Sequence, residues 1–224
     1  MRRSLPLLLL FAALAPSLTA SGQTATERSM ERQGMVKIAD VDSTILVSLM
    51  YARPDNFTGH ILYTDLHTAY LHPRAARALH RAQRILRSIR PDLTLKVYDA
   101  ARPMSVQAVM WKAVEGTSKD IYVSNPAHGG GLHNYGLAVD ITLADRRGDS
   151  IPMGTRIDNM TRLAHIDRES ELVKQGRLTA EAVRNRRLLR RVMREAGFRA
   201  LPSEWWHFNL VSRAVARKYY KLSK

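Results

Sequence analysis

Gly129 to Leu143 reads GGGLHNYGLAVDITL and sets the plan of the chain. Ala138 to Thr142 predicts a strand with Val139 and Ile141 towards the core and Asp140 on the opposite face, so Asp140 is expected at a surface or a cleft. His133 stands seven residues before Asp140. In one continuous strand the two would point apart, but Gly136 and the run Gly129-Gly130-Gly131 permit a turn that brings them together. Taken alone, the pair reads as a glycine-rich hairpin with an exposed Asp and a surface His. A second cluster changes that reading.

Glu204-Trp205-Trp206-His207 follows Pro202-Ser203 and leads into the apolar Phe208, Leu210 and Val211. His133, Asp140 and His207 make a set of two imidazoles and one carboxylate, which suits zinc with one position open for water. An open position means catalysis. Glu204, so near His207, is the general base that a zinc hydrolase needs beside its water. The two tryptophans wall the site, and for Trp206 core packing and site-shaping are compatible. His128 competes as a ligand, but its spacing to Asp140 is less favourable than that of His133, so it is read as a loop histidine beside the site. His60, His67, His72, His80 and His165 show no ligand spacing and are read as surface or packing residues.

A length of 224 residues, 45% of them hydrophobic, fits one domain with a sizeable core. The start resembles a secretory signal: Arg2 and Arg3, an apolar stretch from Leu5 to Leu14 too short to span a membrane as a mature helix, and small residues from Leu18 to Gly22. The expected division is a signal peptide at 1–22, a flexible polar leader at 23–40 and a single catalytic domain at 41–224. There is no cysteine, so any metal is held by His and carboxylates, and a cysteine-free exported chain fits a bacterial periplasm or envelope. The formal charge of +15 stays strongly positive once Arg2 and Arg3 are set aside. In an exported protein that charge points to anionic envelope material rather than nucleic acid. Arg184, Arg186, Arg187, Arg190, Arg191 and Arg194 are expected to circle one helix as a solvated surface.

Ile45, Val47, Leu49 and Tyr51 alternate as a first strand, closed by the turn Pro54-Asp55-Asn56. Pro73 opens a helix to about Ile89, stopped by Pro91, and Leu93 to Tyr98 predicts a strand that delivers Arg102 towards a cleft before a helix from about Ser105 to Val114. Thr179 caps a long helix that Gly197 terminates, and Ser212 caps a basic C-terminal helix. The pattern predicts an α+β fold, a mainly antiparallel sheet flanked by helices with the metal site in a central cleft.

The motifs carry a resemblance. HNYGLAVD matches the His-x-x-Gly-x-Ala-x-Asp pattern and EWWH the Glu-x-x-His pattern of the zinc D-alanyl-D-alanine metallopeptidases. YARPDNFTG from Tyr51, DAARP from Asp99, PMGTRID from Pro152 and the run Asn185 to His207 resemble the D-Ala-D-Ala dipeptidase branch in order and spacing. The resemblance implies one zinc per chain on His133, Asp140 and His207, Glu204 as the catalytic acid and base, and Arg102 as stabiliser of the transition state. It also implies substrate contacts from Tyr51, from Gly131 and from Asp158, which pairs with the ammonium of a dipeptide. Two residues depart from the pattern: Gly131 stands where a serine is usual, removing a substrate hydrogen bond or leaving it to the loop backbone, and Ala101 stands where an aromatic is common, opening the pocket. The implied function is hydrolysis of D-Ala-D-Ala outside the cytoplasm, in wall turnover or salvage, with no nucleic-acid partner and no membrane insertion after signal cleavage. The alternatives are a carboxypeptidase trimming peptidoglycan stems and a zinc-stabilised wall-binding module without turnover; Glu204 argues against the module, which has no need of a base.

Overall fold

The computed structural model describes residues 22–223. Its elements run α1 (Ala25–Arg32), β1 (Val36–Lys37), α2 (Ile38–Val41), β2 (Leu46–Val47), β3 (Tyr70–Leu71), α3 (Pro73–Ile89) and β4 (Thr94–Asp99). They continue through α4 (Met104–Lys112), β5 (Ala138–Ala144), α5 (Glu169–Lys174), α6 (Ala180–Glu195), β6 (Arg199–Leu201), β7 (Glu204–Asn209) and α7 (Arg213–Tyr219). The main sheet has the order β2-β4-β5-β7-β6, and β1 pairs with β3 separately. All its pairings are antiparallel except β2 with β4, so the expected α+β class and mainly antiparallel sheet hold. β5 is central and buried at every residue, polar Asp140 and Thr142 included. A strand covered on both faces can carry a buried carboxylate only if something satisfies it.

The helices form where the local chemistry dictates. Pro73 sits in the first turn of α3, the His72 ring accepts from the Arg74 N–H, and a small apolar stripe of Ala75, Ala78, Leu79, Ala82 and Leu86 faces inward. The Thr179 hydroxyl caps α6 by accepting from the Ala182 N–H, and Gly197, at φ +99°, ends it. The Ser212 hydroxyl caps α7 in the same way.

Three expectations need correction. The predicted first strand is only the two residues of β2; the chain then turns through a 3₁₀ helix, Met50–Ala52, which buries Tyr51. Alternation of apolar residues cannot distinguish these, because a 3₁₀ turn also buries residues at short spacing. The predicted flexible leader is ordered: α1 begins with a capping box between Thr24 and Glu27, and Met30 is fully buried. Its polar composition concealed a helix with one inward face. The signal peptide expected at 1–22 lies, but for Gly22, outside the described residues. Finally, the arginines of α6 do not circle it as a solvated surface. Arg186 is fully buried, its Nε–H donating to the Met153 carbonyl at 2.7 Å and its guanidinium 5.5 Å from the Trp205 ring, while Arg190 makes a two-pronged contact with Glu169 at 2.7 Å. Arg184, Arg187, Arg191 and Arg194 share the exposed side.

Candidate active site

The sheet register brings two sequence-distant clusters together. Asp140 of β5 pairs directly with His207 of β7, so their side chains leave the same face of the sheet as cross-strand neighbours. His133 comes from a 3₁₀ turn, Leu132–Tyr135, closed by Gly136 at φ +63°. A Cβ at Gly136 would lie 2.8 Å from the His72 backbone nitrogen, so glycine is needed there both for the left-handed backbone and for the close approach. This turn is stitched to the end of β4: the Arg102 N–H donates to the His133 carbonyl and the Asn134 amide to the Arg102 carbonyl, both at 3.0 Å.

One atom each from His133, Asp140 and His207 lies within 4.8 Å of the others. The His133 Nδ1–H donates to the Ala100 carbonyl at 2.7 Å, which leaves Nε2 as the lone-pair nitrogen. His207 is fixed the other way round, with Nε2–H donating to the Asn209 side-chain oxygen at 2.9 Å and Nδ1 turned inward. The two inward nitrogens stand 3.2 Å apart, and Asp140 Oδ1 lies 3.3 Å from the first and 2.9 Å from the second. Two lone pairs and a carboxylate converging on one point repel unless a cation is shared between them. Tautomers fixed by outer hydrogen bonds are the usual support of metal-binding histidines, so the donor set fits a divalent metal. Burial opposes charge on His133, but Asp140 and Asp99 outweigh it and hold its pKa above the ordinary histidine value. Burial likewise opposes the Asp140 carboxylate, yet His133 and His207 keep it well below the usual range.

These atoms open into a cavity of about 370 Å³ that Tyr51, Arg102, Gly131, Asp158, Glu204 and Trp206 also line. A Glu204 oxygen stands 3.8 Å from His207 Nδ1. Burial pushes Glu204 up to about 8, with the charges of Asp140 and Asp158 adding and those of His207 and Arg102 opposing. Arg102 is buried; its Nε–H donates to Asp99 at 3.0 Å and its Nη1–H to Gln107 at 2.8 Å, leaving the guanidinium 3.9 Å from Asp140. Asp158 is the only non-glycine residue with positive φ, +62°, among the described residues. The Tyr51 hydroxyl donates to its Oδ1 at 3.0 Å, while its Oδ2 is buried with no partner. Burial pushes this carboxyl up to about 7, and the charge of Asp140 adds to the shift.

The profile of the D-ala-D-ala dipeptidase family matches residues 31–224. The D-alanyl-D-alanine dipeptidase of Escherichia coli (strain K12) is 34% identical over 180 residues, covering 80% of this chain and 86% of that one. The protein of the same name from Synechocystis sp. is 28% identical over 175 residues, 64% of this chain and 70% of its own. That of Enterococcus faecium is 35% identical over 89 residues, 39% of this chain and 41% of its own.

The chain belongs to the D-Ala-D-Ala dipeptidase family.

In this member of the D-Ala-D-Ala dipeptidase family, the predicted residues His133, Asp140, His207, Glu204, Arg102, Tyr51, Gly131 and Asp158 all line one cavity. His128 does not line it. Ala101, expected to open the pocket, does not line it; it is buried, with its N–H donating to the Tyr70 carbonyl at 2.8 Å. Trp205 turns away from the cavity and gives its Nε1–H to Thr155 at 2.7 Å.

Ser124 was missed by the sequence reading. A Cβ built on Gly131 would fall 2.8 Å from the Ser124 hydroxyl and 3.2 Å from its Cβ, so the space beside Gly131 is already taken by a serine from another loop. Arg213 donates to that hydroxyl at 3.0 Å, and both residues line the cavity. Asp99 was missed as well: fully buried, it accepts from Tyr63 at 2.6 Å and from Arg102. The only signal for Asp99 was its place at a strand end three residues before Arg102, and for Ser124 there was none.

A second cavity of about 550 Å³ is lined in part by chain neighbours of residues that line the first. Neighbouring residues of one backbone divide between the two: Met50, Ile157 and Trp205 line the second cavity, and Tyr51, Asp158 and Trp206 the first.

Proposed function

We propose that this chain hydrolyses D-Ala-D-Ala to two D-alanines, with one zinc ion per chain held by His133, Asp140 and His207. Bound zinc supplies Lewis acidity and lowers the pKa of water towards neutrality. Glu204, raised to about 8 by burial and standing beside the ligands, suits a group that takes a proton from the attacking water and returns it to the leaving amine. Arg102, held in place by Asp99 and Gln107, stabilises the negative charge that develops on the scissile carbonyl oxygen, a contribution on the order of 3 kcal/mol for a well-placed donor.

The observation that carries the dipeptide reading is the unpartnered Oδ2 of Asp158 in the wall of the cavity. A buried carboxylate lacking a partner is costly, and a substrate ammonium relieves that cost while forming a charge-assisted hydrogen bond. A stem peptide extended at its N-terminus brings no such ammonium. At the other end, Ser124 and Arg213 offer a hydroxyl and a cation suited to the dipeptide carboxylate. Incubating the purified protein with D-Ala-D-Ala and with N-acetyl-D-Ala-D-Ala, followed by mass spectrometry, tests the reading: preference for the acetylated compound would favour the carboxypeptidase instead.

Export to the periplasm or envelope, and a role in salvaging wall-derived dipeptide, belong to the same proposal. Their support is Arg2 and Arg3 followed by the apolar run from Leu5 to Leu14, together with the lack of cysteine. Among the described residues no helix is long and apolar enough to cross a membrane.

A further inference from the structure

The solvent face of α3 has an unusual composition. Every exposed position from Pro73 to Arg87 is arginine: Arg74, Arg77, Arg81, Arg84 and Arg87, at spacings that keep them on one side of the helix. The helix contains no acidic residue. Four more exposed arginines, Arg184, Arg187, Arg191 and Arg194, repeat the pattern on α6, which packs against α3. The two stripes meet where Arg81 donates to the Ala196 carbonyl, the C-cap of α6, at 3.0 Å.

Little on the protein neutralises this surface. Arg191 pairs with Glu195, Arg74 donates to the Tyr220 hydroxyl, and Asp42 on the flank of α3 is engaged with His80. Arg77, Arg84, Arg87, Arg184, Arg187 and Arg194 have no ion-pair partner among the described residues, and Glu181 is the remaining exposed acid on α6. Like charges three and four residues apart on a helix repel, so the pattern costs stability in the isolated protein. None of these arginines lines the catalytic cavity. The stripe therefore has no part in the reaction, and its charge calls for an anionic partner outside the chain.

We propose that the joined faces of α3 and α6 form a peripheral docking surface for an anionic phospholipid bilayer. Two adjoining helical stripes present a broad cationic face rather than a single protruding element of the kind that enters a nucleic-acid groove. Guanidinium groups match phosphate oxygens in geometry as well as charge, and each basic residue near an anionic membrane contributes about 1 kcal/mol. Exposed Ile89, at the end of α3, adds an apolar contact at the rim.

The test is co-sedimentation of the full chain with phosphatidylglycerol vesicles and with phosphatidylcholine vesicles, read as the ratio of the two partition coefficients. All variants share one N-terminal segment, so any apolar insertion it makes cancels in the comparison. The wild type is expected to prefer the anionic vesicles and to lose that preference as salt is raised. Arg77→Gln/Arg84→Gln/Arg87→Gln, which keeps helix propensity, should lower the ratio on the order of 100-fold by the contribution per residue above, with dipeptide hydrolysis in solution unchanged. Arg28→Gln/Lys119→Gln/Arg168→Gln, exposed residues off the two helices, should lower it far less. Equal partition of the wild type on both vesicles overturns the proposal, and so does an equal loss in the two triple variants, which would reduce the effect to net charge. Tighter binding to duplex DNA than to anionic vesicles would overturn the choice of lipid.

Discussion

The imidazoles of His133 and His207 meet edge to face, ring centroids 4.9 Å apart, each turning a lone-pair nitrogen inward while its outer N–H is held by an oxygen from its own supporting segment. Those outer hydrogen bonds fix the orientation of both rings. Metal analysis should find about one zinc per chain. His133→Ala and His207→Ala should each abolish retention, and full retention in both would remove the site assignment. Asn209→Leu, which releases the outer hydrogen bond of His207, should weaken metal affinity by about 10–100-fold in a competition titration with a chelator.

In the proposed reaction Glu204 contributes chemistry rather than ligation. Glu204→Ala should keep the metal yet lose at least about two orders of magnitude in kcat for D-Ala-D-Ala, the scale of a positioned acid and base. Turnover like the wild type would place the base elsewhere.

Asp158 separates dipeptidase from carboxypeptidase. Acetylating the substrate amine removes the cation proposed to pair with its buried carboxylate, and N-acetyl-D-Ala-D-Ala should lose roughly 2–4 kcal/mol in kcat/KM. Asp158→Ala should harm cleavage of the free dipeptide far more than of the acetylated one, narrowing the gap between them.

The same carboxyl sets a pH dependence of stability. Burial, with the charge of Asp140, raises it to about 7, above its ordinary value of 3.8, so between these values the folded chain holds a proton that the unfolded chain has released. Its contribution is whole below about pH 4 and is lost as pH rises through 7. In metal-stripped protein, Asp158→Asn escapes that loss, and asparagine tolerates the left-handed backbone. Its advantage in unfolding free energy over the wild type should grow by about 3–4 kcal/mol from pH 4 to pH 8 in denaturant titrations. A constant difference across that range would mean that Asp158 ionises normally.

Gly131 and Ser124 share one volume. Gly131 has an extended backbone, so substitution there is limited by space rather than by φ. Gly131→Ser should cost about 1–3 kcal/mol of stability by overpacking against Ser124. Adding Ser124→Gly should recover stability and, with a hydroxyl returned to the cavity from the other loop, most of the dipeptidase activity. A double variant no better than Gly131→Ser alone would show that the two positions are not interchangeable.

The candidate metal-binding cluster was legible because its chemistry is written in residue types whose spacing matches a strand and a glycine turn. His133, Asp140 and His207 needed only Gly136 to bend the chain, and caps at Thr179 and Ser212 marked their helices directly. What escaped depends on contacts between distant segments. Tyr51 looked like the end of a strand because burial in a 3₁₀ turn leaves the same apolar trace, and α1 looked disordered because one buried methionine anchors an otherwise polar helix. Ser124 became visible only when a loop from elsewhere in the chain was seen to occupy the space beside Gly131. Arg186 read as solvated although it lies beneath Trp205, since sequence gives a charge without giving its neighbours.

Met50 with Tyr51, Ile157 with Asp158 and Trp205 with Trp206 are chain neighbours divided between two cavities, the first of each pair lining one and the second the other. Changes in side-chain volume at Met50, Ile157 or Trp205 act on the same stretches of backbone that carry the phenol, the carboxylate and the indole lining the first cavity. Substitutions at Met50, Ile157 or Trp205 are therefore expected to adjust dipeptide selectivity while leaving His133, Asp140 and His207 unchanged, which kcat/KM ratios for a set of D-amino-acid pairs would measure. For directed evolution of this scaffold towards other D-amino-acid pairs, the residues of the second cavity are the place to begin.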